Sequence, residues 1–211
     1  MKRNHRRVRL FVAFGLSVLL TCSLLLSACS PGAGATSAVT SKTSLVAAAQ
    51  TTTNSISLTA GTMSISLDNR TIKAGDTITV NIMVDSQTGL RGIQCGLDFD
   101  PKLMRCDDAE EGPFLKKWAQ SLGMSTMVVP DPVIDNQKGH VSKMVIVVTG
   151  RPNGQLDNPG TGATGNGIAA TYSFTALANG QAIPKITDAS LIAIPASSGG
   201  HAVEVPVKIV N

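Results

Sequence analysis

The stretch Thr77-Ile-Thr-Val-Asn-Ile-Met-Val84 places an apolar residue at every second position, with Ile78, Val80, Ile82 and Val84 on one side. A period of two sends successive side chains to opposite faces of a strand. Such a segment covers a core with one face and meets polar surroundings with the other, and it does not suit a helix. Met63-Ser-Ile-Ser-Leu67 alternates in the same way. Gly92 to Phe99 sets Ile93, Cys95, Leu97 and Phe99 inward, and Gln94, Gly96 and Asp98 outward. Asp100-Pro101 ends that strand, because proline cannot donate to a ladder. Leu103–Cys106 reads as a short strand. Val141 to Thr149 is apolar almost throughout and reads as a central strand. Ile168 to Leu177 turns Ile168, Ala170, Tyr172 and Phe174 to one face, and Ala169, Thr171, Ser173 and Thr175 to the other. Ile186–Ile194 and Val203–Val210 complete the set, the last with Val203, Val205, Val207 and Ile209 inward. Pro113 to Leu122 is the one helical segment, with proline in its first turn and Gly123 as its stop. The fold class is all-β, a sandwich or jelly roll with one short helix.

The strands begin only after residue 60. Five of the 18 basic residues (Lys2, Arg3, Arg6, Arg7 and Arg9) precede an apolar run from Leu10 to Leu26, and no acid occurs before Asp68. Without that basic start the chain carries 13 basic and 14 acidic residues, so its positive charge speaks for an export signal and not for nucleic acid. Leu26-Ser-Ala-Cys29 resembles the lipobox of bacterial lipoproteins. This implies cleavage before Cys29 and acylation of its thiol and amine, with residues 1–28 as signal peptide. Multiple acyl chains make a stable membrane anchor where one is marginal. The expected location is extracytoplasmic, at the cell surface. Residues 29–60 are dominated by Ser, Thr, Ala and Gly and read as a tether, with an r.m.s. reach of roughly 30 Å as a coil.

Four pieces in order carry a further resemblance. Ala74-Gly75-Asp76-Thr-Ile-Thr-Val opens a strand. Gly89-Leu-Arg-Gly-Ile-Gln-Cys-Gly-Leu-Asp-Phe-Asp-Pro-Lys-Leu103 joins a glycine-containing strand to an aromatic-Asp-Pro-x-x-Leu corner. Ile134-Asp-Asn-Gln-Lys-Gly-His-Val141 has an Asp-Asn-x-x-Gly turn before an apolar strand. Gly167-Ile-Ala-Ala-Thr-Tyr-Ser-Phe174 follows. Over residues 61–211 the chain resembles the cohesin domains. Ile93 and Cys95 depart from the pattern, since aromatic residues are common there. The resemblance implies a nine-stranded jelly-roll β-sandwich related to carbohydrate-binding modules. It also implies a non-catalytic role, capturing calcium-loaded dockerin modules of polysaccharide-degrading proteins on one sheet face. If the strands share a sheet as the fold implies, Gln94, Gly96 and Asp98 lie beside Thr171 and Ser173, with Lys143 joining them. These six are the candidate partner-binding residues; an ordinary solvated face is the competing reading.

Asp98, Asp100, Asp107, Asp108, Glu110 and Glu111 concentrate acid, but without the spacing of a calcium loop. A solvated loop is favoured and calcium is a minor reading, with no cofactor otherwise expected. Gly160-Thr-Gly-Ala-Thr-Gly165 fits a dinucleotide fingerprint only formally, because a strand and not a helix follows. Cys95 and Cys106 could form a disulfide outside the cytoplasm, or be two buried small apolar residues. His140 and His201 read as solvated turn residues. No nucleophile–base pattern is present, so catalysis is not expected. Polysaccharide binding is the alternative function, weakened by the scarcity of rings. Tyr172 faces the core, and Trp118 is expected to cap the sandwich. A structural or adhesive surface lipoprotein is the third reading.

Overall fold

The computed structural model describes residues 57–151 and 158–211. The export signal, Cys29 and most of the tether lie outside the described residues. The strands are β1 (Gly61–Leu67), β2 (Thr71–Ile72), β3 (Thr77–Asp98), β4 (Met104–Glu111), β5 (Ser125–Val128), β6 (Ile134–Asp135), β7 (His140–Thr149), β8 (Ala163–Ala176), β9 (Gly180–Gln181), β10 (Lys185–Ala193), β11 (Val203–Val205) and β12 (Val207–Val210). One helix, α1 (Pro113–Ser121), sits between β4 and β5. The all-β sandwich with one short helix is thus observed.

The two segments read from sequence as separate strands, Thr77–Val84 and Gly92–Phe99, are one 22-residue strand. It serves two sheets in turn. Its first half, through Ser86, pairs with β1 on one side and β8 on the other. Its second half, from Gly92, pairs with β10 and β7. The crossover lies at Gly89, whose backbone meets that of Gly162. A Cβ at 89 would stand 2.8 Å from the Gly162 nitrogen. Only glycine lets two backbones come that close.

The first sheet runs β12-β1-β3-β8-β4, and the second β11-β10-β3-β7, with β5 and β6 both along the far side of β7. β2 and β9 pair by themselves. Val203–Val210, expected as one strand, is broken at Pro206. Its first part pairs with β10, and its second runs parallel to β1. The inward alternation fails there, because Ile209 and Val210 at the chain end are exposed.

The faces follow the period of two elsewhere. Ile78, Val80, Ile82 and Val84 from β3 meet Ala170, Tyr172 and Phe174 from β8 in the core, all buried. Phe99 packs edge-on against Phe174, with ring centroids 5.0 Å apart. Helix α1 begins at Pro113 without a side-chain cap. It buries Leu115 and Ala119 and stops at Gly123, whose φ of 69° glycine alone adopts cheaply.

The acidic run is not a loop. Asp107, Asp108, Glu110 and Glu111 lie on β4, which extends well beyond the short strand expected at Leu103–Cys106. β4 is an edge strand, and charge on an edge blocks pairing with another chain.

Candidate functional site

Cross-strand registers set out the outer face of the second sheet row by row. The first row is Ile192–Gly92–Val147–Met127. The second is Ser190–Gln94–Val145, continued by Val129, whose amide donates to the Val145 carbonyl at 2.9 Å. The third sets Thr187 opposite Gly96, with a bulge on β7 where Lys143 projects, exposed. The fourth is Lys185–Asp98–His140–Asp135. The face therefore grades from apolar at one end to polar and charged at the other.

Its free side is apolar and uncovered. Seven large apolar residues are exposed among those described, and three of them follow this margin: Met127 at 48%, Val129 at 50% and Val133 at 67%. Val133 is held there by two bonds with Ser142, one from each amide. Single exposed apolar residues are ordinary, whereas a row contiguous with Val145 and Val147 makes a patch.

The candidate residues divide between two faces. Gln94, Gly96, Asp98 and Lys143 share the face just described. Thr171 and Ser173 do not. They pair with Asn81 and Thr79 of the first half of β3, in the other sheet. The Thr171 hydroxyl donates to Asn81 Oδ1 at 2.9 Å. The expected six-residue face is thus corrected: alternation along a strand reports its faces, but not which sheet the strand joins.

Two of the four remaining residues also have work inside the fold. Gln94 Nε2 donates to the Asp188 carbonyl at 2.9 Å, tying down the bulge in β10 where Asp188 takes a φ of 50°. Gly96 lies under Thr187, whose hydroxyl oxygen would be 2.6 Å from a Cβ at 96. Asp98 Oδ1 and His140 Nδ1 are 2.7 Å apart. His140, expected to be solvated near a strand start, is the first residue of β7, partly exposed and bonded to Asp98.

The six acids do not converge. Asp98 engages His140, and Asp100 Oδ1 accepts from the Lys102 amide at 2.9 Å within the Asp-Pro corner. Asp107 accepts from Arg105 and from the Thr175 hydroxyl, which together hold its carboxyl below the usual range, the hydroxyl most strongly. Glu111 Oε1 accepts from Thr126 and Lys116. Among the described residues no three His, Cys, Asp or Glu side chains are grouped to hold a metal ion.

Of the two readings of the cysteines the structure has the second, not the disulfide: Cys95 and Cys106 are free and buried. Each has another partner. Cys95 Sγ lies 3.7 Å from the Tyr172 hydroxyl, and Cys106 Sγ donates to the Asp108 carbonyl at 3.4 Å. Burial pushes both thiols up to about 11, so neither is a nucleophile near neutral pH.

No protein-family model matches the chain, and no curated protein matches it. Solved structures match it in fold. A type II cohesin from a cohesin–X-dockerin complex of Acetivibrio cellulolyticus superposes with a TM-score of 0.53 at 14% identity, over 71% of this chain and 95% of that one. The second type II cohesin module of an adaptor scaffoldin from the same organism gives 0.54 at 13%, over 73% and 88%. Type II cohesin A11 of Bacteroides cellulosolvens gives 0.52 at 14%, over 71% and 95%. The chain has the cohesin β-sandwich fold.

Proposed function

We propose that this chain is a non-catalytic docking module. It captures a dockerin-type module carried by a secreted, polysaccharide-active protein. The partner sits on the outer face of the second sheet, with Gln94, Gly96, Asp98 and Lys143 beneath it. The observation that carries the reading is the apolar row of Val145, Val147, Met127 and Val129, partly to half exposed on the outer sheet face and bordered by the charged row at Asp98. Interfaces of this kind have an apolar centre and a polar rim. The fold shared with a cohesin solved in complex with an X-dockerin supports the choice of partner. Thr171 and Ser173 are left out of the docking face.

The lipobox-like Leu26-Ser-Ala-Cys29 and the composition of residues 29–60 support the rest of the proposal. Residues 1–28 are removed, Cys29 is acylated, and the tether holds the sandwich of residues 61–211 outside the membrane. The domain is then a fixed point at the cell surface for a diffusing partner.

The test is a capture experiment. The full-length chain is immobilised and exposed to the secreted proteins of its own organism, with calcium and with a chelator. A calcium-dependent partner with a duplicated calcium-loop segment is the expected result. The same yield with and without chelator, or no partner in either condition, overturns the dockerin reading.

A further inference from the structure

Helix α1 leans over the start of β8 and leaves a cleft of about 370 Å³ between them. One wall is aromatic: Phe114 and Trp118, four residues apart, share a face of the helix. The other wall is the strand, with Thr164 and Asn166 exposed and Ile168 at the inner end. The volume lies within the usual range for small-ligand sites, and the mixture of rings with a few polar groups is their usual lining.

Both rings of the aromatic wall have partners within the fold. The Arg91 guanidinium lies 4.8 Å from the centre of the Trp118 ring, and Arg91 is buried. Its Nε and Nη2 donate to the carbonyl and hydroxyl of Thr161 at 2.8 and 3.1 Å. Phe114 lies against Gly167, where a Cβ would come within 2.8 Å of its ring. The rings are therefore set before any ligand arrives, which lowers the cost of binding.

The two walls define the ligand. A wholly apolar molecule would bury the Thr164 hydroxyl and Asn166 carboxamide without partners. Among the described lining residues only Lys117 is charged, which opposes a cation and gives a polyanion a single contact. What fits is a neutral ring with apolar C–H faces and hydrogen-bonding groups at its edge. The C–H groups, slightly positive, meet the negative face of the aromatic rings, and the edge groups meet the strand. We propose that this cleft is a saccharide-binding site taking one or two pyranose units, separate from the docking face. Trp118, expected only to cap the sandwich, both packs on the core and lines the cleft.

Trp118 is the chain's single tryptophan, so its emission reports on this cleft alone. The full-length chain is titrated with cellohexaose, xylohexaose, mannohexaose and chitohexaose, with adenine as a planar non-sugar control. A saturable emission change with at least one hexaose, at millimolar affinity or better, is expected. Asn166→Ala, at an exposed position, should weaken it about tenfold, and Phe114→Ala at least as much. Lys143→Glu, on the docking face, should leave it unchanged. No response to any of the four, or a response to adenine alone, overturns the proposal. Unaltered affinity in both Asn166→Ala and Phe114→Ala overturns the placement.

Discussion

Asn136 and Cys106 hold each other reciprocally. The Cys106 amide donates to Asn136 Oδ1 at 2.7 Å, and Asn136 Nδ2 donates to the Cys106 carbonyl at 2.9 Å. Cys106 lies on the edge strand of the first sheet, and Asn136 in the turn between β6 and β7 of the second. One carboxamide thus closes the side of the sandwich. Asn136→Ala leaves a partly buried N–H and C=O unpaired, at a cost of about 2–3 kcal/mol. Asn136→Asp keeps the acceptor and loses the donor, so its loss should fall between. Denaturant midpoints of the three proteins check this order.

Val145 tests the docking face. Its side chain is partly exposed at the centre of the apolar row, so Val145→Asp should spare the fold. Burying an unpaired carboxylate under a partner should lower affinity by about tenfold or more. Thr171→Ala, on the opposite sheet, should have no effect on capture. Equal loss from both variants would mean that the partner does not distinguish the faces.

The buried thiols make stability depend on pH in the alkaline range. Both folded values are raised, from 9.0 to about 11. Below pH about 9 folded and unfolded thiols are alike protonated, and their full contribution is present. Between about 9 and 11 the unfolded chain releases protons that the folded chain keeps, so stability falls as pH rises. Each thiol sets a slope of up to about 1.4 kcal/mol per pH unit. Tyr172, pushed upward mainly by burial, adds a slope of the same sign at higher pH. Denaturation at pH 8 to 11 should show the decline, and a Cys95→Ala, Cys106→Ala protein should show less of it. A thiol reagent at pH 8 should label neither cysteine until denaturant is added.

Gly162 meets the crossover of β3. A Cβ there would overlap the Gly89 carbonyl group and the Leu90 amide, with no side chain to move aside. Gly162→Val should destabilise by about 3 kcal/mol, in the upper range for overpacking. Because β3 belongs to both sheets, tertiary and secondary signals should still be lost in one transition at a lower midpoint.

The sequence showed most clearly what depends on local period. Ile78 to Val84 and Ala170 to Phe174 turn inward as alternation requires, and Pro113 and Gly123 bound the helix closely. Pairings between distant segments left no local trace. Nothing in Thr171 says that it will sit opposite Asn81 and not near Gln94. The passage of β3 between sheets depends on Gly162, more than seventy residues away from Gly89. β5 was missed because Ser125-Thr-Met-Val128 is too short to establish a period, although its β-branched residues lie between Gly123 and Pro130. With it went Met127 and Val129, part of the exposed margin of the docking face. The contact of His140 with Asp98 has no local signal either, because it is made across the sheet.

The parallel pairing of β1 with β12 sets Gly61 opposite Val207 and Ser64 opposite Val210. β1 is thus entered at the end where β12 begins, and β12 leaves at the other end. A pull that draws the chain ahead of Gly61 away from Asn211 acts along both strands in opposite directions. It loads the four residue pairs together and must slide one strand past the other, instead of opening them in succession. The antiparallel bonds from β1 to β3 resist the same displacement. A domain built this way bears mechanical load in shear, the stronger of the two geometries.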